Sequence, residues 1–290
     1  MNRISYAIVF ILLCSGALTA QDKGQPIIKS EVLDAHIMFE KQVWRRMDLN
    51  ERQNKPMFSK NAELPRLLID AVREGLIKPY RSDTCINLLT DDEFEEAVSV
   101  ERQSNDAFGG GFDSFGGGGG FDSGGFGGGF GDTQTSTTEP APEANTKEYD
   151  PIPGDVFDIA YLREDVIFDR NRSRMLWYIR SITIVLPFDA GPYNPAGFEK
   201  PVAHFRYQDV VDLFRGPYAE KAIWFNNQNQ AQHRNLADAF ELRLFHAPIL
   251  EVSNAQSLDV KQLAEGYESV VLSQQYEDEL MEYESELWEY

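Results

Sequence analysis

The sequence predicts an α+β fold: an antiparallel sheet with packed helices, a helical N-terminal part, a long C-terminal helix and a disordered Gly/Phe-rich insert. Three observations carry this reading. Two runs rich in Val, Ile, Tyr and Phe, Val156 to Phe168 and Met175 to Phe188, flank the turn DRNRSR, the mark of an antiparallel hairpin. Apolar residues recur at helical spacing on both sides of that hairpin. Hydrophobic residues make up 42% of the 290 positions, enough for a core.

The chain opens on an address. Arg3 precedes the apolar run Ile4 to Leu13, and small residues lead to Ala20, so residues 1–20 read as a secretory signal peptide cut after Ala20. Leu18 departs from the ideal small residue three before the cut. A lipoprotein signal at Cys14 is disfavoured by the bulky Leu13 before it, and the apolar run is too short to span a bilayer. The mature chain is therefore expected to be exported and soluble. It keeps one cysteine, Cys85, in the apolar setting TCINLL, where a buried, inert thiol is expected. One thiol forms no internal disulfide, so the core must hold the fold.

Residues 21–103 read as a mainly helical part. Val32, Ala35, His36, Phe39, Val43 and Trp44 share helical spacing behind a start at Ser30–Glu31. His36 then falls on the inward face as a packed core histidine. Leu64 to Glu74 is amphipathic, with Leu67, Leu68, Ala71 and Val72 inward and Gly75 as its stop. Thr90 caps DDEFEEAVS, whose first-turn acids suit a helix N-terminus.

Residues 104–148 read as a flexible insert. Phe108 to Gly131 is almost wholly Gly, Phe, Asp and Ser, and the TQTSTTEPAPEANTKE that follows is polar and lacks an apolar period. A passive spacer is the reading preferred over Phe stickers. No phosphate-loop motif fits, since no Lys occurs from Ser104 to Thr146.

Residues 149–290 read as an α+β part. After the hairpin, His204 to Asp209 and Ala222 to Phe225 suggest further strands, and Leu236 to Phe245 a helix. From about Ser257 an acidic helical stretch runs to the end. In it Tyr276, Leu280, Tyr283, Leu287 and Tyr290 recur at spacings of 4 and 3, an a/d seam. No Lys or Arg follows Lys261, and acids at a helix C-terminus oppose its dipole. Such a helix must dock, either on its own domain or on a partner. In the second case Tyr276, Leu280, Tyr283, Leu287 and Trp288 are the candidate partner-binding residues. DAVREGLIKPY also echoes DVVDLFRGPY, and WRRMDLNERQNKPMF echoes IFDRNRSRMLWY, both weakly enough for chance.

With 27 Lys+Arg against 47 Asp+Glu, the net charge is −20. That disfavours nucleic acid and electrostatic adhesion to anionic lipid. An acidic partner would need a local basic or apolar patch. The histidines His36, His204, His233 and His246 are scattered and no H-E-x-x-H occurs, so neither metal nor cofactor is expected. No G-x-S-x-G occurs. Carboxylates are too abundant for any pair to single out a glycosidase. Asp165, Asp169, Arg170 and Arg172 read as ordinary ion pairs at a solvated turn. A non-enzymatic assembly or binding component fits best. The alternatives are a carboxylate-dependent periplasmic glycan hydrolase and a soluble ligand-binding protein.

Five stretches in order, VWRRMDLNERQNKPMF, LIDAVREGLIKPYRSD, REDVIFDRNRSRM with YIRSITIVLP, LADAFELRLF and ELWEY, resemble the GldN (PorN) family of gliding motility proteins. The Gly/Phe insert departs from the family pattern and leaves open an extra contact or a longer linker. The resemblance implies a non-enzymatic periplasmic component of the type IX secretion system of Bacteroidota. It implies a ring, built with a GldK/PorK-type outer-membrane lipoprotein, that self-associates beneath the outer membrane. It also implies contact with a GldM/PorM-type motor protein.

Overall fold

The computed structural model describes residues 32–101, 149–254, 258–264 and 266–288. The leader, the helix start at Ser30, the Gly/Phe-rich insert and Tyr290 lie outside them. In chain order the strands are β1 (Ile37–Asp48), β2 (Phe58–Ser59), β3 (Ala62–Glu63), β4 (Ser99–Glu101), β5 (Tyr149–Pro151), β6 (Ile159–Asp169), β7 (Arg174–Leu186), β8 (Lys200–Arg206), β9 (Ile223–Trp224), β10 (Arg234–Asn235) and β11 (Ile249–Val252). The helices are α1 (Leu64–Arg73), α2 (Asp91–Ala97), α3 (Tyr207–Arg215), α4 (Leu236–Glu241), α5 (Val260–Leu263) and α6 (Tyr267–Trp288). This is the α+β architecture read from the sequence, with its antiparallel sheet and long C-terminal helix. β11, β1, β6, β7 and β8 form the central sheet in that order, every neighbour antiparallel.

Local signals account for several elements. β6 and β7 are the hairpin expected around DRNRSR. Gly75 follows α1 at φ +72°, a left-handed conformation that glycine adopts without a Cβ clash. Thr90 and Glu93 form a reciprocal capping box: Glu93 N donates to Thr90 Oγ1 at 3.4 Å and Thr90 N to Glu93 Oε2 at 3.2 Å. β4 pairs with β5, so the chain on either side of residues 102–148 meets in one short ladder.

The first element corrects the sequence reading. A helix was expected over Val32–Trp44; the chain forms a strand over Ile37–Asp48. Its deepest positions alternate, Val43, Arg45 and Met47, all buried. The arginine in that alternation hides the period of two from a hydrophobicity count. β1 is paired on both edges, with β6 along its length and with β11 at Val43–Arg45. Ladder pairing overrides a weak local helical preference. His36, expected in a helix core, lies half-buried in a 3-10 turn, Asp34–His36. His204–Asp209 is likewise strand only to Arg206. Tyr207, Val210, Val211 and Phe214 then follow a helical spacing that α3 buries. The helix expected to reach Phe245 stops at Glu241. The echo DAVREGLIKPY/DVVDLFRGPY falls on the ends of α1 and α3, each followed by a buried tyrosine, Tyr80 and Tyr218.

Register decides what shares a face. Met47 pairs with Ala160, Arg45 with Leu162, Val43 with Glu164 and Phe39 with Phe168. Leu162 pairs with Ile182, Val166 with Trp177 and Phe168 with Met175. Directly paired residues point to the same side. One face therefore has an apolar end at Met47, Ala160, Leu162 and Ile182, charged residues Arg45 and Glu164 in its middle, and a second apolar end at Phe39, Val166, Phe168 and Met175. Leu67 and Leu68 of α1, Val210 and Phe214 of α3 and Phe240 of α4 pack in the core over the first end. Leu280 of α6 packs on the second.

Candidate partner interface

The charged middle of the sheet face is a closed network. Arg45 Nε donates to Glu164 Oε2 at 2.9 Å, and Arg243 donates to both oxygens of the same carboxylate at 2.8 and 3.1 Å. Arg45 Nη1 also donates to Ala247 O at 2.8 Å, and the guanidinium pairs with Glu277 of α6. Glu164 is fully buried and Arg45 nearly so. Burial opposes the charge on Arg45, but Glu277 and Glu164 outweigh it and hold its pKa above the ordinary arginine value. Both guanidinium groups lie over the Trp177 ring, 5.0 and 5.4 Å from its centroid. Arg243 arrives from beyond α4, in a left-handed conformation at φ 51°.

This network can clamp three elements together, β1, β6 and α6. Glu164 sits between two guanidinium groups, and both of its oxygens are taken up by them. Asp158, Asp209 and Glu251, the carboxyl groups that burial pushes above their ordinary range, lie apart from one another in the sequence, and none lines the cleft beside α6.

The terminal helix docks on its own chain. Leu280 is buried, Tyr276 and Leu287 pack against the same apolar cluster, and Tyr283 meets the Phe39 ring with centroids 4.6 Å apart. Trp288 faces outward and is 63% exposed. Of the five candidate residues, four are thus gathered against the sheet, and Trp288 is not. Among the described α6 residues only Ser273 and Leu280 are buried. One fully buried leucine contributes about 1.5–3 kcal/mol, little against the cost of ordering a 22-residue helix. The acids complete the attachment: Glu277 pairs with Arg45, and Glu284 Oε1 accepts from Met175 N at 3.0 Å. Their spacing of seven matches the seam, which is the sequence signal that would have found them. The sequence reading took these acids only as charges that oppose the helix dipole. A cleft of about 790 Å³ runs along the flank of α6, with Trp177, Phe245, Val270 and Met281 among its walls. Tyr267, Val270 and Met281 are exposed on the helix.

Two smaller expectations resolve differently. Cys85 is buried, and burial pushes its thiol pKa up to about 11. Asp165 and Asp169, expected at a solvated turn, are both buried. Asp165 lies within β6 and accepts from Arg180 Nε at 2.5 Å, and Asp169 accepts from Asn171 N at 2.9 Å.

The family model for gliding motility associated protein GldN matches residues 32–289, from the strand that opens the sheet to the end of the docked helix. The chain belongs to the GldN family. Comparison with curated proteins returned no match. GldN membership makes the chain a component of the gliding motility and type IX secretion machinery, part of a structural complex whose family is not known for enzymatic activity. Among the described residues no helix is long and apolar enough to cross a membrane.

Proposed function

We propose that this GldN-family chain is a periplasmic structural adaptor. In this reading it is exported by its leader, self-associates into a ring with a GldK/PorK-type outer-membrane lipoprotein, and couples that ring to a GldM/PorM-type protein of the inner-membrane motor. The family match over residues 32–289 carries the reading. The geometry supports it in one respect: a helix fastened by Tyr276, Leu280, Tyr283 and Leu287 carries Trp288, Met281, Val270 and Tyr267 exposed. Exposed aromatic and Met side chains on a fixed element are what interfaces use as anchors. The four seam residues would then present the helix, and Trp288 would make the contact.

The test is affinity purification of the tagged chain from envelope extracts of its native host, with mass spectrometry. Stoichiometric recovery of one lipoprotein and one inner-membrane protein supports the adaptor. Recovery of the chain alone at monomer mass removes the reading. Trp288→Ala is expected to reduce capture without changing the melting temperature. Equal capture would move the contact elsewhere.

A further inference from the structure

The opposite face of the sheet holds a row of polar side chains that the network above does not use. Register pairs Arg163 of β6 with Ser181 of β7, and Ser181 with Arg206 of β8, so the three share one face in a line across three strands. The pairing then jumps from Ser181 to Ile179, which inserts Arg180 beside the line. These arginines border a notch of about 340 Å³, closed on one side by the segment Asp83–Ile86.

Two buried atoms in the row have no hydrogen bond, and Ser181 lies in the row without lining the notch. Arg163 Nε is buried with no hydrogen bond; its ion pair with Asp83 is 3.8 Å long, and the same oxygen accepts from Trp44 Nε1 at 2.8 Å. Ser181 is fully buried, and its Oγ has no partner. Arg206 donates to Cys85 O at 3.4 Å and has no carboxylate within ion-pair distance among the described residues. Arg180 is taken up by Asp165. Three guanidinium groups and two carboxylates thus line the notch in a chain of net charge −20, with Asp209 outside the lining but within reach of the charge on Arg206. Two of the three are stacked in place, Arg163 over Trp44 at 5.8 Å and Arg206 over Tyr80 at 5.5 Å. Guanidinium groups held in place in this way match a carboxylate in geometry and charge.

We propose that this notch receives a carboxylate side chain from an acidic segment of a partner protein. A polypeptide is favoured over a free anion by Ile86, which lines the notch and is 76% exposed. It offers an apolar shoulder to the residue beside the acid, and that burial offsets the long-range repulsion from an acidic protein. The site stands on a different face from α6 and does not depend on the terminal-helix reading.

The test uses the full chain and a fluorescein-labelled peptide of alternating glutamate and leucine, with inorganic phosphate as the second probe. Saturable peptide binding is expected, weakened at least about tenfold by Arg206→Gln through loss of charge-assisted hydrogen bonds. Ile86→Asp changes only an exposed side chain and is expected to weaken binding with the melting temperature unchanged. Absence of peptide binding, or equal affinity in both variants, overturns the proposal. Binding of phosphate without the peptide also overturns it and leaves a site for small anions.

Discussion

Arg45 Nε donates to Glu164 Oε2 at 2.9 Å, 119 residues away in the sequence, at the point where the two apolar ends of one sheet face meet. The pair is buried, yet it is a junction: Arg243 reaches it from beyond α4 and Glu277 from α6. A buried ion pair is weak evidence for stability, but removing one partner leaves an uncompensated charge.

Glu164→Leu is therefore expected to destabilise strongly, by about 3–5 kcal/mol, because Arg45 and Arg243 lose their shared carboxylate. Urea denaturation measures it. Combining it with Arg45→Met and Arg243→Met is expected to restore much of the loss. A triple variant as unstable as the single one would show that the cost is packing and not stranded charge.

Glu277→Gln tests the attachment of α6. Arg45 keeps Glu164 and Ala247 O, so the sheet is expected to persist while the helix loosens. The loss is about 1.5–3 kcal/mol, the worth of a hydrogen bond to a charged group. Hydrogen exchange reads the outcome: faster exchange over residues 267–288 with β6 and β7 unchanged. Uniform acceleration would place α6 within the global folding unit.

His204 sets a pH dependence. Burial lowers its pKa below the ordinary 6.5, against a smaller raising effect of Asp83, while Thr183 Oγ1 lies 2.7 Å from Nδ1. The unfolded chain thus binds this proton more readily than the folded one. The stabilising contribution is present above about pH 6.5 and is lost as pH falls towards the depressed folded value. His204→Gln is expected to flatten the stability slope in that window, read by denaturation at several pH values.

Cys85 is expected to resist alkylation. Its thiol, pushed up to about 11, is almost wholly protonated at neutral pH and is buried as well. Iodoacetamide should label it in denaturant and not in the folded chain at neutral pH. Rapid labelling of the folded chain would mean that the segment Asp83–Ile86 opens.

Much of the local structure was legible in the sequence. The DRNRSR turn marked the β6–β7 hairpin, Gly75 marked the end of α1, Thr90 marked α2, and the 4–3 spacing of Tyr276, Leu280, Tyr283 and Leu287 marked the docking side of α6. Each of these signals acts within a few residues, where backbone conformation and capping decide the outcome. β1 was not legible, because its alternation contains Arg45, and an arginine counts as surface until a buried carboxylate is known to face it. The spacing of seven sets Glu277 and Glu284 beside the seam, but their partners Arg45 and Met175 N were not legible, because these lie far off in the chain. Sequence by itself determined the β6–β7 hairpin, α1, α2 and the acidic terminal helix. Tertiary structure alone decided that β1 pairs between β6 and β11, that α6 lies on its own sheet, and that Arg163, Ser181 and Arg206 stand in one row. Those outcomes rest on strand register and on charge pairing between distant residues, and neither leaves a periodic trace in a linear sequence.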